Sequence, residues 1–166
     1  MAKITLGGNE TNISGNLPEV GTQAPDFLLV SKDMQEKSLA SYHGQKVILN
    51  IYPSIDTGVC AMSTVKFNQQ ASSLENTRIV CFSRDLPLAL NRYCEAEGID
   101  NLDNLTNFRD CGSFGQDYGV EIVDGAFKGL NARAIVVVDE EGTVKYTELV
   151  PEVGQEPDYD KALAAV

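Results

Sequence analysis

Three short apolar runs organise the chain: KVILNIY at 46–52, TRIVCFS at 77–83 and RAIVVVD at 133–139. Each is shorter than a typical helix and rich in β-branched residues, the pattern of strands covered on both faces. PDFLLVS at 25–31 predicts another strand. Between the runs the period changes. Phe67, Ala71 and Leu74 recur at i, i+4 and i+7 and predict a helix after Cys60. In 85–98, Asp85 is a candidate N-cap, Pro87 suits a first turn and Gly98 a stop. Leu86, Leu90 and Tyr93 supply the apolar stripe of that second helix, with Cys94 one turn after Leu90. Residues 104–120 are mixed and predict a short helix. Glu140, Glu141 and Gly142 turn the 133–139 strand into TVKYTELV, which predicts a hairpin, and PDYDKALAAV predicts a terminal helix. At the other end KITLGG and ETNISGN alternate about a Gly/Asn turn and predict an N-terminal β-hairpin within 1–20.

Alternation of buried strands with helices predicts an α/β fold: a central mixed β-sheet with helices on both faces, of the thioredoxin-like type. No repeat, low-complexity stretch or linker interrupts it. The expectation is one domain over 1–166, with the 1–20 hairpin as its extension.

Charge and composition narrow the partners. The net charge of −11 disfavours nucleic acid and anionic membranes, which demand clustered Lys and Arg. The acidity reads as solubility. MAKITLGGNE lacks the apolar core of a signal peptide, and no run has the length of a membrane span. The expected compartment is the cytoplasm, where permanent disulfides are uncommon. Four cysteines, Cys60, Cys81, Cys94 and Cys111, include no C-x-x-C pair, and the single histidine, His43, sits in a turn-like SYHGQK. A metal site therefore has no support, and no cofactor is expected.

YPSIDTGVC, residues 52–60, places a thiol where a central strand gives way to a helix. Sites in open α/β sheets gather at the carboxyl ends of strands. A helix start offers unpaired N–H groups and partial positive charge, which favour thiolate over thiol. Thiolate is the nucleophile. Thr57, as N-cap, puts a hydroxyl within reach of the sulfur or of an incoming oxygen, and Pro53 offers a rigid wall without an N–H. A cysteine early in a helix is by itself more often packing. The combination of Pro53, Thr57 and Cys60 after a buried strand shifts the reading to chemistry.

PSIDTGVC has the P-x-x-x-T-x-x-C pattern of the peroxiredoxins, and here the chain resembles that family. With SIDTGVCAMSTVKFNQ, SRDLPLALNRYCEAEG, GLNARAIVVVDEEG, EPDYDKAL and the N-terminal hairpin, the likeness covers nearly the whole sequence. It is nearest to the bacterial thiol peroxidase subfamily, the atypical two-cysteine peroxiredoxins. The resemblance implies Cys60 as peroxidatic cysteine, Pro53 and Thr57 as its pocket, Arg133 beside its thiolate and Cys94 as resolving cysteine. It implies a thiol-dependent peroxidase acting on hydroperoxides, organic ones preferred over hydrogen peroxide. Its sulfenic acid would form an intramolecular disulfide that thioredoxin or a similar dithiol reduces, in a homodimer. The two sulfurs are expected to start apart, so that the start of the Cys60 helix and the surroundings of Cys94 unwind. Cys81, inside IVCFS, reads as inert packing. Cys111 matches no catalytic position and reads as a bystander, and Arg84 stands where relatives are expected to have a small residue.

Two other readings compete. A non-catalytic redox-interaction module would need neither Pro53 nor Arg133. A cysteine phosphatase is echoed by CAMSTVK, but its last residue is Lys66, without the planar fork that phosphate takes from arginine.

Overall fold

The computed structural model describes residues 2–109 and 113–166; Cys111 lies outside the described residues. Seven strands form a mixed sheet: β3 (Leu28–Ser31), β4 (Glu36–Ser38), β5 (Lys46–Ile51), β6 (Thr77–Ser83), β7 (Asp103–Thr106), β8 (Ala134–Val138) and β9 (Val144–Leu149). Their order is β4-β3-β7-β6-β5-β8-β9. The central strands β5, β6 and β7 run parallel. β8 pairs antiparallel with β5, β9 with β8, and β3 with both β7 and β4. β1 (Lys3–Leu6) and β2 (Asn9–Asn12) form a separate hairpin, as the alternation predicts. Its turn is Gly7-Gly8, with φ of 58° and 82°, the left-handed pair that a tight two-residue turn requires.

The central runs are continuous in apolarity because both faces are covered. On one face Val47, Leu49, Ile51, Val80, Phe82 and Val136 meet the hairpin's Ile4 and the aromatic group of Phe27, Phe114 and Tyr118. On the other, Ile48, Ile79, Cys81, Ile135 and Val137 pack with three helices: α1 (Gly58–Ala71), α2 (Pro87–Glu97) and α4 (Tyr159–Ala164). The short α3 (Ser113–Asp117) supplies Phe114 to the first face. Residues 77–83 form β6 from end to end, and the terminal helix starts at an N-cap, Asp158, that accepts from the Lys161 N–H.

Several elements depart from the pattern. β4, β7 and a 3-10 turn at Leu39–Tyr42 carry no periodic signal. β7, with sequence DNLT, is polar, and tertiary bonds hold it: Asp103 accepts from Arg78 at 2.6 Å and from the Tyr42 hydroxyl at 2.7 Å. α1 ends at Ala71, leaving Leu74 in the turn beyond it. Asp85 is not the cap of α2. Leu86 takes that position without a side-chain bond, because the Asp85 carboxylate is engaged elsewhere. Leu86 itself is 59% exposed, so the buried stripe is Pro87, Leu90 and Cys94. His43 is exposed, as expected.

The hairpin is fastened to the far end of the chain. Thr5 donates its N–H to the Pro151 carbonyl at 2.7 Å and accepts from the Val153 N–H at 2.9 Å. Between these bonds, Glu152 accepts from the Thr5 hydroxyl and from the N–H groups of Gly7, Gly8 and Gly154. Four donors facing one carboxylate push its pKa from 4.5 down to about 2, the Thr5 hydroxyl contributing most. A depressed carboxylate contributes stability that is fully present above pH 4.5 and lost as pH falls towards 2. Acid-unfolding curves of the wild type and Glu152→Gln should therefore lie apart at neutral pH and converge across that window. Parallel curves would remove the carboxylate from the fastening.

Candidate active site

β5 ends at Ile51, and Tyr52 still donates to the Phe82 carbonyl at 3.0 Å. Pro53, which is buried, then breaks the ladder. Residues 54–57 form a tight turn in which the Thr57 N–H and hydroxyl both donate to the Ser54 carbonyl, at 3.2 and 3.1 Å. Thr57 is the N-cap in extended conformation, as predicted, but its hydroxyl closes this turn instead of capping the helix. The first helical bond runs from Ala61 N–H to the Thr57 carbonyl. The N–H groups before it, that of Cys60 included, lie outside the helical ladder.

Cys60 is fully buried, on the face of α1 that also carries Ser63, Thr64 and Phe67. This i, i+3, i+4, i+7 set differs from the predicted stripe because small hydroxyl residues fill the half nearest the sulfur. Ser63 and Thr64 donate to the Cys60 carbonyl at 3.1 and 3.0 Å. Beneath them Asn50 of β5 donates to the Ser63 hydroxyl at 3.2 Å.

Arg133 immediately precedes β8, on the face that Ile135 and Val137 bury against the helices. The antiparallel register opposes Ile51 to Ala134, so the start of β8 meets the end of β5. The guanidinium, only 1% exposed, crosses to Cys60: Nη2 donates to Sγ at 3.1 Å. Nε donates to the Val153 carbonyl at 2.9 Å. Nη1 is buried and has no hydrogen-bond partner among the described residues. The hydrogen-bond partners of the Arg133 side chain as a whole are thus a carbonyl oxygen and a sulfur, while the Glu156 carboxylate acts on it through charge.

Cys94 lies elsewhere on the same side of the sheet. Its Sγ accepts from Asn104 Nδ2 at 3.2 Å, and Asn104 Oδ1 accepts from the Tyr52 hydroxyl at 3.4 Å. Burial pushes the Cys94 thiol up, against a smaller opposing pull from Lys32. It is thus held as a neutral thiol in this form. The Cys94 carbonyl accepts from Gly98 and Ile99, the closing bonds of α2, so this cysteine sits in the last turn of its helix. Cys60, Cys81 and Cys94 are all free thiols here. Burial raises Cys81 to about 12, which fits its expected role as packing.

The structure therefore brings Cys60 and Arg133 together, sets Pro53 and Thr57 in the turn that leads into the Cys60 helix, and leaves Cys94 bonded to a separate partner. Asp85, Asn104 and the Val153 carbonyl escaped the sequence reading, since polar residues in loops and on β7 have no periodic signature. Arg84 turns away from the helix and donates to the Gly129 carbonyl at 2.8 Å. No group of three or more metal-ligating side chains forms among the described residues.

A cysteine in the first turn of a helix, beside a buried arginine on a thioredoxin-like sheet, defines the class: a thiol-dependent oxidoreductase. The sequence places it further. The Redoxin family model matches residues 19–163, and the chain belongs to that family. It is 52% identical to the thiol peroxidase of Corynebacterium glutamicum, covering 100% of this chain and 99% of that protein. It is 51% identical to the thiol peroxidase of Mycobacterium tuberculosis at the same coverage. Among solved structures, the peroxiredoxin-like protein from Aquifex aeolicus superposes with a TM-score of 0.91 at 37% identity, covering 99% of this chain and 95% of that one.

Arg133→Gln keeps hydrogen-bonding atoms but removes the cation. A hydrogen bond to a charged group contributes about 1.5–3 kcal/mol, so Cys60 in this variant should react with hydroperoxide roughly 10- to 100-fold more slowly. The ultraviolet thiolate band at neutral pH should weaken with it. An unchanged rate in a folded Arg133→Gln protein would remove the guanidinium from the chemistry.

Proposed function

We propose that this chain is a thiol-dependent peroxidase in which Cys60 attacks the hydroperoxide and Cys94 resolves the product. The thiolate of Cys60 takes the terminal oxygen of ROOH. The O–O bond breaks, an S–O bond forms, and the departing RO⁻ takes up a proton to leave as alcohol, or as water when the substrate is hydrogen peroxide. Cys60 becomes a sulfenic acid. The Cys94 thiol condenses with it, forming the S–S bond and releasing water. A dithiol of the thioredoxin type then exchanges with the disulfide and returns both cysteines to thiols.

The observation that carries this reading is the division of the Arg133 guanidinium. One arm holds the sulfur at 3.1 Å, and a second arm, Nη1, is a buried donor without a partner among the described residues. Donors aimed at an oxygen on which charge develops stabilise the transition state most, because they are already in place. Pro53 and Thr57 flank the turn that leads into the Cys60 helix; the Thr57 hydroxyl, which donates to the Ser54 carbonyl here, keeps acceptor capacity.

Cys60 is fully buried and Cys94 is 2% exposed, each held by its own partner. A disulfide requires Cα atoms within about 7 Å. The scheme therefore includes unwinding at the start of α1 and in the last turn of α2. A preference for organic hydroperoxides and a homodimer complete the reading, supported by the sequence resemblance alone. Among the described residues no helix is long and apolar enough to cross a membrane.

The competing readings lose support at particular residues. A passive redox module has no use for a buried cation on its sulfur. Lys66, the nearest counterpart of a phosphatase arginine, is exposed, pairs with Glu156 at 2.8 Å and lies over the Tyr159 ring.

One equivalent of cumene hydroperoxide should convert the reduced protein to a form two mass units lighter, with roughly two hydrogens lost as the disulfide closes. Non-reducing peptide maps should join Cys60 to Cys94. Cys94→Ser should stop at the sulfenic acid and pass to sulfinic acid in excess peroxide. A link to Cys111, or between chains, would overturn the role of Cys94, and oxidation no faster than a free thiol would overturn the peroxidase.

A further inference from the structure

The Asp85 carboxylate is bonded on both sides of the structural change that the peroxidase scheme demands. Its Oδ1 accepts from the Ser54 hydroxyl at 2.7 Å, and its Oδ2 accepts from the Ile55 N–H at 2.8 Å. Both donors belong to the turn that delivers the chain into α1 and Cys60. Oδ2 also accepts from the Ser83 hydroxyl at 2.7 Å, at the end of β6, and the Asp85 N–H returns a bond to that hydroxyl. Two residues further on, Pro87 opens α2, the helix of Cys94. A charged acceptor makes shorter and stronger bonds than a neutral one. Of the side chains bonded to residues 54 and 55, Asp85 is the one that comes from outside the turn, and it ties the turn to the strand–helix junction beside it.

These bonds fix the turn at Ser54 and Ile55 that leads into α1 at Gly58. Ile55, 1% exposed, packs from the same turn into the core beside Cys60. With the bonds in place, Cys60 stays against Arg133, where it meets peroxide. Once they break, the sulfur is free to travel towards Cys94. The two chemical steps therefore make opposite demands on one carboxylate.

We propose that Asp85 is a positioning residue that holds the Cys60 turn closed for peroxide attack and must release it for disulfide formation, thereby setting the ratio of the two rates. This inference rests on the peroxidase reading above. Asp85→Asn keeps the size and one acceptor but sets an NH₂ group against donors, which loosens the turn without touching the sulfur or Arg133.

Rapid-mixing measurements with cumene hydroperoxide separate oxidation of Cys60 from disulfide closure. In Asp85→Asn the first rate constant should fall about tenfold, the equivalent of losing one hydrogen bond to a charge. The second should rise several-fold, and the sulfinic acid formed in excess peroxide should decrease. Ser54→Ala, which retains the carboxylate and the Ile55 bond, should move both constants the same way by less, and it carries the test if Asp85→Asn does not fold. A general loosening of the fold would slow both steps together. That outcome in either folded variant, or no change in either constant, overturns the latch. The wild type serves as the separate control. If it forms no Cys60–Cys94 link, the peroxidase scheme itself fails, whereas a normal wild type with unresponsive variants sinks only the role of Asp85.

Discussion

A buried guanidinium is the constraint around which this protein is arranged. Arg133 is almost wholly removed from water, and its hydrogen bonds go to a sulfur and a backbone carbonyl. Such a group is costly to bury unless charge or well-aimed acceptors compensate it. Much of the surrounding structure supplies that compensation. β5 and β8 bring the two side chains to the same end of the sheet, the first turn of α1 aims Cys60 inward, and residues 151–153 present a carbonyl to Nε. The hairpin contributes by holding those last residues, so an apparently peripheral element supports the centre through Thr5, Glu152 and Val153.

In the proposed scheme, the same packing that steadies Cys60 hides it from Cys94. Cys94 is screened in the closing turn of α2, neutral and bonded to Asn104, and the sulfur of Cys60 faces Arg133. A structure good at the first reaction is thus poor at the second, and the chain has to move between them. The pieces that move in that scheme are helix ends, where the fewest backbone bonds are at stake. The sheet beneath is buried on both faces and has no comparable freedom.

What the sequence disclosed follows a physical rule. Strands β5, β6 and β8 were legible because burial on both faces leaves an unbroken apolar run, and the Cys60 site because Pro53, Thr57 and a cysteine at a strand–helix junction make sense only together. Arg133 entered the reading through family resemblance alone, and the structure buries it against Cys60. β7 was invisible since its residues are polar and held by Tyr42, Arg78 and Tyr52 from other elements. Asp85 was assigned to the wrong duty. An aspartate just before a helix looks like a cap, and nothing local tells that Ser54 and Ile55, some thirty residues earlier, compete for its oxygens.

The antiparallel pairing of β5 with β8 carries a further implication. Cys60 and Arg133 are 73 residues apart, and no local motif joins them; alignment of two strands does. Because side chains alternate across a sheet, sliding β8 by a single residue would turn the guanidinium to the opposite face, among Val136, Phe82 and the aromatic group. The irregularity of the β8–β9 pair lies in β9, where Lys145 is the extra residue between the partners of Val137 and Val138, while β8 pairs evenly with β5 along its length. The unbroken pairing of β8 with β5 is thus what keeps the arginine on the side of the sulfur.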